Sequence, residues 1–306
     1  MPTNRTPVAL TATCALGLTL LVPTNAAADI QNPVCASDTH PEVAERLSEE
    51  IRERVEARDG RVSVGVSAHD GDLRCGLDPT AEFDAASVGK VVVLGALLRL
   101  TMDEDRELTD SEDDLATDMI TVSGNDSAVE LRDRLGAERI QDFLDLAGMD
   151  DTVLHPDGFV GLMKITADDQ LTLLELLRTD NDVLGAGQRD YARGLMGDVI
   201  DEQRWGVPTG APADATVYLK NGWLPYPDTD TWRINSIGGF QDTPIGDYDL
   251  VVLTDGTADA PGMQYGVETI ESVAVGVHTV LTGGSVRTPL TRLSDSEQVS
   301  DGSDRS

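Results

Sequence analysis

The chain has 306 residues, enough to bury one large core or two small ones, and it carries 55 acidic against 23 basic side chains for a net charge of −32. That balance excludes nucleic acid, whose phosphates need a basic surface, and an anionic membrane face. The acidic residues are spread through every segment, with a cluster at 101–114, and read as a solvated surface suited to a salty habitat.

Residues 1–28 read as a secretory signal: Arg5, an apolar run, then Ala26 and Ala28 at cleavage spacing. A membrane anchor is the alternative, but the run is short for a span and no second apolar stretch follows it. The protein is therefore expected to be secreted, with no membrane attachment after cleavage and with two cysteines, Cys35 and Cys75. In an oxidising compartment a bridge between them would tie the lead segment 29–39 to the residues ahead of Ser87; two unpaired thiols are the alternative.

Val43, Leu47, Ile51 and Val55 have helical spacing, and Gly60 stops that helix. Residues 61–77 alternate and turn at "HDGD", a hairpin. From Ser87 to Leu100 the apolar density is nearly all-round, which marks a buried helix. Residues 101–204 read as helices and loops, with separate helices at "NDSAVELRDRLG" and "AERIQDFLDLAG". Three strands follow, "ATVYLKNGWLP", "TWRINSIGGF" and "YDLVVLTDG", and then a helix, "QYGVETIESVAVGVHTVLTG". The residues at 285–306 are Ser, Asp and Thr rich and read as a disordered acidic tail.

Strands at both ends of the chain, separated by a helical block, predict one α/β (α+β) domain at 40–284. Its antiparallel sheet is flanked by helices. The sheet lobe comprises 40–86 and 205–284, and an all-helical lobe comprises 87–204, with a cleft between them. The histidines, His40, His69, His155 and His278, are far apart and form no zinc-type pair, and no acidic run has the spacing of a calcium loop. No metal and no cofactor are expected.

Only three lysines occur, Lys90, Lys164 and Lys220, and two of them fall in short motifs. Ser87-Val88-Gly89-Lys90 is S-x-x-K at a helix start. Ser123-Gly124-Asn125 is S-x-N before a helix. Lys220-Asn221-Gly222 is K-x-G on a strand. A serine at a helix N-terminus sits in a field that favours a developing anion. A lysine three residues on lies on the same face and takes the serine proton if burial or a second cation lowers its pKa; Lys220 is read as that cation. Ser123 relays the proton toward the leaving nitrogen. Asn125 offers a donor and an acceptor to a substrate amide, and Gly222 lets a substrate backbone lie on the strand. Backbone N–H groups of Ser87 and Trp223 would form the oxyanion hole. Each motif alone is weak; the three in order on the right elements are strong. A phosphate-binding loop at "SVGKVVV" is rejected, because Asp84 and Val91 stand where it needs glycine and a hydroxyl.

The set resembles the S-x-x-K, S-D-N and K-T-G motifs of class A β-lactamases and penicillin-binding serine hydrolases. "FDAASVGK" is similar to the entry of their nucleophile helix, "MITVSGNDSAVELR" to their S-D-N loop, and "KITADDQLTLLELL" to the helix after their Ω-loop. The resemblance, to the actinobacterial secreted type, covers about residues 40 to 284. It implies that Ser87 is the nucleophile and Lys90 its base, with Ser123 as relay and Asn125, Lys220, Asn221 and Gly222 binding substrate; the sequence gives no sign of an obligate oligomer, so a monomer is expected. Lys220 and Asn221 would take the substrate carboxylate.

Four departures stand against it. No glutamate lies between Asp150 and Thr166, where the family carries its deacylation base; Asp151 and Asp157 are the nearest carboxylates. The spacer from Lys90 to Ser123 is short. Asn221 replaces a hydroxyl residue, with bulky Trp223 beside it. Gly124 replaces aspartate and removes a structural hydrogen bond. The reading is a secreted serine hydrolase of β-lactams or related amides. A D,D-peptidase-like penicillin-binding protein acting on peptidoglycan stem peptides and a non-catalytic binding protein that keeps the fold are the alternatives.

Overall fold

The computed structural model of the chain describes Met1 and residues 33–256, 262–283, 290–294 and 298–305. Apart from Met1, the expected signal lies outside the described residues.

Alternating strands from both ends of the chain build one antiparallel sheet. Its strands are β1 (Cys35–Ala36), β2 (Arg61–Ala68), β3 (Leu73–Leu77), β6 (Thr216–Pro225), β7 (Trp232–Gln241) and β8 (Tyr248–Asp255), in the order β1-β3-β2-β8-β7-β6. A separate two-stranded ribbon pairs β4 (Phe83–Asp84) with β5 (Lys164–Ile165). The sheet is covered on both faces, so its central strands are buried nearly throughout. In β8, Leu250 and Val252 enter one core with Val64, Val66, Ile270 and Val273, while Val251 and Leu253 enter the other with Leu94, Leu171 and Leu174.

Helix α1 (Pro41–Glu56) packs with α7 (Met263–Thr282) over the first face. Helix α5 (Ala167–Arg178) lies on the second. Small residues in β2 let it approach: a Cβ at Gly65 would stand 2.8 Å from Leu171 Cδ1. Helices α2 (Lys90–Asp103), α3 (Asp110–Thr121), α4 (Asn125–Ala147) and α6 (Ala186–Gly197) complete the helical side. Gly95 of α2 admits the Phe143 ring of α4, whose Cζ is 2.3 Å from where a Cβ would be. From Pro33 on the chain is one compact unit.

Two expectations are corrected and a third is met. The helix expected from Ser87 begins at Lys90; Ala86–Gly89 is a 3-10 turn ahead of it. The break expected between the two helices after Ser123 is present within α4 at Gly136, which takes the non-helical φ 74° and ψ 157°. The stretch expected as a disordered tail is held where it is described. Thr291 N–H donates to the buried carboxylate of Glu271 (2.7 Å), Leu293 N–H donates to Gln264 Oε1 (2.8 Å), and residues 299–303 enter the cleft. Composition misses this because hydrogen bonds hold the segment together with Leu293, which packs against the core.

Cys35 and Cys75 pair across β1 and β3 and are disulfide-bonded. They are 40 residues apart, so the bridge removes about 4 kcal/mol of chain entropy from the unfolded state. Replacing both cysteines by serine is expected to destabilise the protein by about 2–4 kcal/mol. Denaturant melts of the oxidised and the double-serine proteins check this; unchanged midpoints would remove the bridge as a determinant.

Candidate active site

The turn that carries Ser87 is pinned from two sides. Asn235 of β7 donates its side-chain amide to the carbonyls of Asp84 (2.8 Å) and Ala85 (3.1 Å). Ala85 N–H donates to Met163 O (2.9 Å). The carboxylate of Asp84 pairs with Lys164 and with Arg233. Between these ties Ala86 is held at φ 47°, a left-handed conformation that is strained for an L side chain. The strain aims the backbone N–H of Ser87 at the cleft.

Lys90 lies one turn below, fully buried. Its Nζ is 2.9 Å from Ser87 Oγ, 2.6 Å from Ser123 O, 3.2 Å from Ser123 Oγ and 2.7 Å from Asn125 Oδ1. The carbonyl of Ser123 and the amide oxygen of Asn125 take two N–H bonds. A neutral amine then turns its lone pair toward Ser87 Oγ. Burial lowers the Lys90 pKa to about 8, against the opposing pull of the Asp301 and Asp118 carboxylates.

Ser123 is the meeting point. It sits in the loop between α3 and α4 at φ 63°, and Lys220 Nζ donates to its hydroxyl (2.9 Å) and to Asn221 O (3.0 Å). Lys220 is fully enclosed, and burial first, then the charge of Lys90, pushes its pKa well below the lysine range. Desolvation is the first cause at both lysines, and the mutual repulsion of the two ammonium groups adds to it.

Gly222 packs against the serine turn, where a Cβ would come 2.6 Å from Ser87 N. Beside it the N–H groups of Ser87 and Trp223 converge on one oxygen, Asp301 Oδ2, at 3.1 and 3.0 Å. Two preorganised donors on one point form the arrangement that stabilises an oxyanion. Asn221 is turned away. Its Nδ2 donates to Gln203 O and Trp205 O, both at 2.8 Å, so the amide ties β6 to the preceding loop instead of facing a substrate carboxylate.

Gly124 also reads differently. The Asp118 carboxylate fills the space a side chain would take there: a Cβ would stand 1.6 Å from Asp118 Oδ2. That oxygen accepts from Ser127 Oγ (2.7 Å), and Asp118 O accepts from Gly124 N–H (3.0 Å). The acid missing from the loop is supplied from α3. Sequence reasoning missed Asp118, Asn235 and Asp301; a bare glycine in S-x-N was the one signal, and it pointed only to a loss. Among the described residues no group of three or more His, Cys, Asp or Glu side chains is placed to hold a metal.

The family model described as the Beta-lactamase enzyme family matches residues 111–279. Among solved structures, the chain is similar to a class A beta-lactamase from Bacteroides cellulosilyticus, with TM-score 0.69 and 16% identity over 78% of this chain and 98% of that one. It is also similar to a beta lactamase from Xanthomonas campestris, with TM-score 0.64 and 20% identity over 78% and 98%. The TLA-1 extended spectrum beta-lactamase gives TM-score 0.68 and 15% identity over 77% and 98%. At these identities the likeness establishes the fold. No curated protein sequence matches the chain.

The space shared by residues 118 and 124 sets a test. Gly124→Asp alone is expected to destabilise by about 1–3 kcal/mol through overpacking against Asp118. Adding Asp118→Gly is expected to recover most of that loss, a non-additive coupling that melts of the two single variants and the double variant measure. Additive losses would show that the two positions do not share one space.

Proposed function

We propose that this chain, which belongs to the Beta-lactamase enzyme family, is a serine hydrolase that opens β-lactams or related amides through an ester on Ser87. The contact that carries the reading is the 2.9 Å approach of Lys90 Nζ to Ser87 Oγ beside the paired N–H groups of Ser87 and Trp223. Ser87 Oγ attacks the carbonyl carbon and gives its proton to Lys90 Nζ. The carbonyl oxygen takes the negative charge in the place Asp301 Oδ2 occupies. The C–N bond then breaks, and its nitrogen takes a proton passed through Ser123, which Lys90 and Lys220 flank. Water later cleaves the ester and releases the acid.

The second step is the slow one. The carboxylates between Asp150 and Thr166 are Asp150, Asp151 and Asp157, and all three are exposed. The backbone beside the serine turn is Val160–Leu162, where Val160 O abuts Gly89. Without a carboxylate there to activate water the ester is long-lived, and this favours a penicillin-binding, D,D-peptidase-like role on peptidoglycan stem peptides as the second reading. The Cys35–Cys75 bond supports an extracytoplasmic location. The reading needs only one copy of the chain.

Incubation with a fluorescent penicillin and intact-mass measurement over time separates the outcomes. One penicillin is expected to add to the wild type and persist, while Ser87→Ala takes none. Lys90→Ala is expected to label about 10²–10⁴-fold more slowly. The neutral amine accumulates as pH rises, so the labelling rate is expected to climb toward pH of about 8 and level off above it. Rapid loss of the label would favour a true β-lactamase, and no label on the wild type would overturn the acyl-transfer reading for β-lactams.

A further inference from the structure

The C-terminal segment occupies the cleft as a ligand would. Asp301 N–H donates to Trp223 O (3.0 Å), so the segment adds to β6, the edge strand of the sheet. Asn125 Nδ2 donates to Asp301 O (2.5 Å), and Trp223 Nε1 donates to Val299 O (2.8 Å). One oxygen of the Asp301 carboxylate takes both oxyanion-hole N–H groups; the other accepts from the N–H (2.9 Å) and the hydroxyl (2.6 Å) of Ser303.

The domain is shaped around this segment. Ser303 is fully buried, and a Cβ on Gly161 would stand 2.3 Å from its Oγ. Gly302 takes φ 75°, and a Cβ there would meet Asn125 Nδ2 at 2.7 Å. The bound group is a carboxylate, the hydrolysed form of an acyl group, so Ser87 gains no leaving group from it. The backbone carbonyl of Asp301 faces Asn125, away from the oxyanion hole, so no peptide bond is presented for cleavage.

We propose that residues 299–303 are a built-in competitive inhibitor, with Asp301 filling the oxyanion hole as a product mimic, and that substrate enters only when this segment leaves. The consequence for turnover rests on the acyl-transfer reading above; the contact itself does not. The Asp301 charge also opposes the loss of a proton from Lys90, so departure of the segment frees the donors and favours the basic amine together.

The test compares the full chain, the chain lacking residues 298–306, and full-length Asp301→Ala and Asp301→Asn. Two readouts are taken: the second-order rate of labelling by fluorescent penicillin, and the affinity for phenylboronic acid, which needs only the Ser87 oxygen and the two N–H groups. If the segment is seated in about nine molecules of ten, shortening the chain or Asp301→Ala raises both about tenfold. Asp301→Asn, which keeps the shape and removes the charge, is expected to fall between. The peptide QVSDGSDRS, added at millimolar concentration (roughly the effective concentration of a short tether), restores the inhibition of the shortened chain. Equal boronate affinity in the full, shortened and Asp301→Ala proteins, all folded by thermal melt, would overturn the proposal. Should the shortened chain fail to fold, Asp301→Ala decides alone. Boronate affinity that rises on shortening with no penicillin label in any form would leave the inhibitor standing and remove the β-lactam reading.

Discussion

Two lysine amines share one serine hydroxyl in a space closed to water. Lys90 and Lys220 lie 3.2 and 2.9 Å from Ser123 Oγ, and both are fully buried. Burying an ammonium is costly, and burying two beside each other is worse, so the site holds them only by lowering their proton affinity. That condition dictates the architecture. The two amines come from α2 and β6, and the hydroxyl comes from the loop before α4. Only a sheet assembled from both ends of the chain, with the helical block set against it, brings the three together. Asn235 on β7 and the contact of Gly222 with the serine turn lock the sheet to Ser87, so the distances are held by rigid elements.

Much of this was readable in the residues, because it rests on periodicity and on scarcity. Alternation marked β2 and β3, helical spacing marked α1, and the rarity of lysine singled out Lys90 and Lys220. The conformation of the serine turn was not readable: Ala86 at φ 47° has no marker, since the strain is imposed by Asn235 and Met163 from elsewhere in the chain. Asn221 is different, for the signal was present. Successive strand residues point to opposite faces, so Lys220 and Gly222 in the cleft require Asn221 behind it. Reading the K-x-G motif as a unit hid an alternation that the strand assignment already implied.

The S-x-N loop shows how a site keeps a charge while moving its source. A glycine in place of an aspartate reads, residue by residue, as a lost hydrogen bond. In space the same volume is filled by Asp118 from α3, whose carboxylate is 2.7 Å from Ser127 Oγ. The substitution and its compensation lie six positions apart and are joined through the Asp118 O to Gly124 N–H bond. Asp118 also raises the proton affinity of Lys90, so its charge acts on that amine as well as on the loop.

An oxyanion hole is an anion site before any substrate arrives, because its N–H groups are fixed by the fold and gain nothing from pointing into a void. In a chain with 55 acidic residues and three lysines, two of them at this site, many internal carboxylates compete for it. Charge alone does not choose among them, since the attraction is not specific to one aspartate. The choice is made by backbone: Asp301 brings its own N–H to Trp223 O and its own carbonyl to Asn125, so one residue satisfies the edge strand, the amide and the oxyanion hole at once. A free carboxylate offers only the last of these. The groups that would recognise an amide substrate are thus the groups that select this aspartate, and occupation by the segment and by substrate exclude each other on geometry.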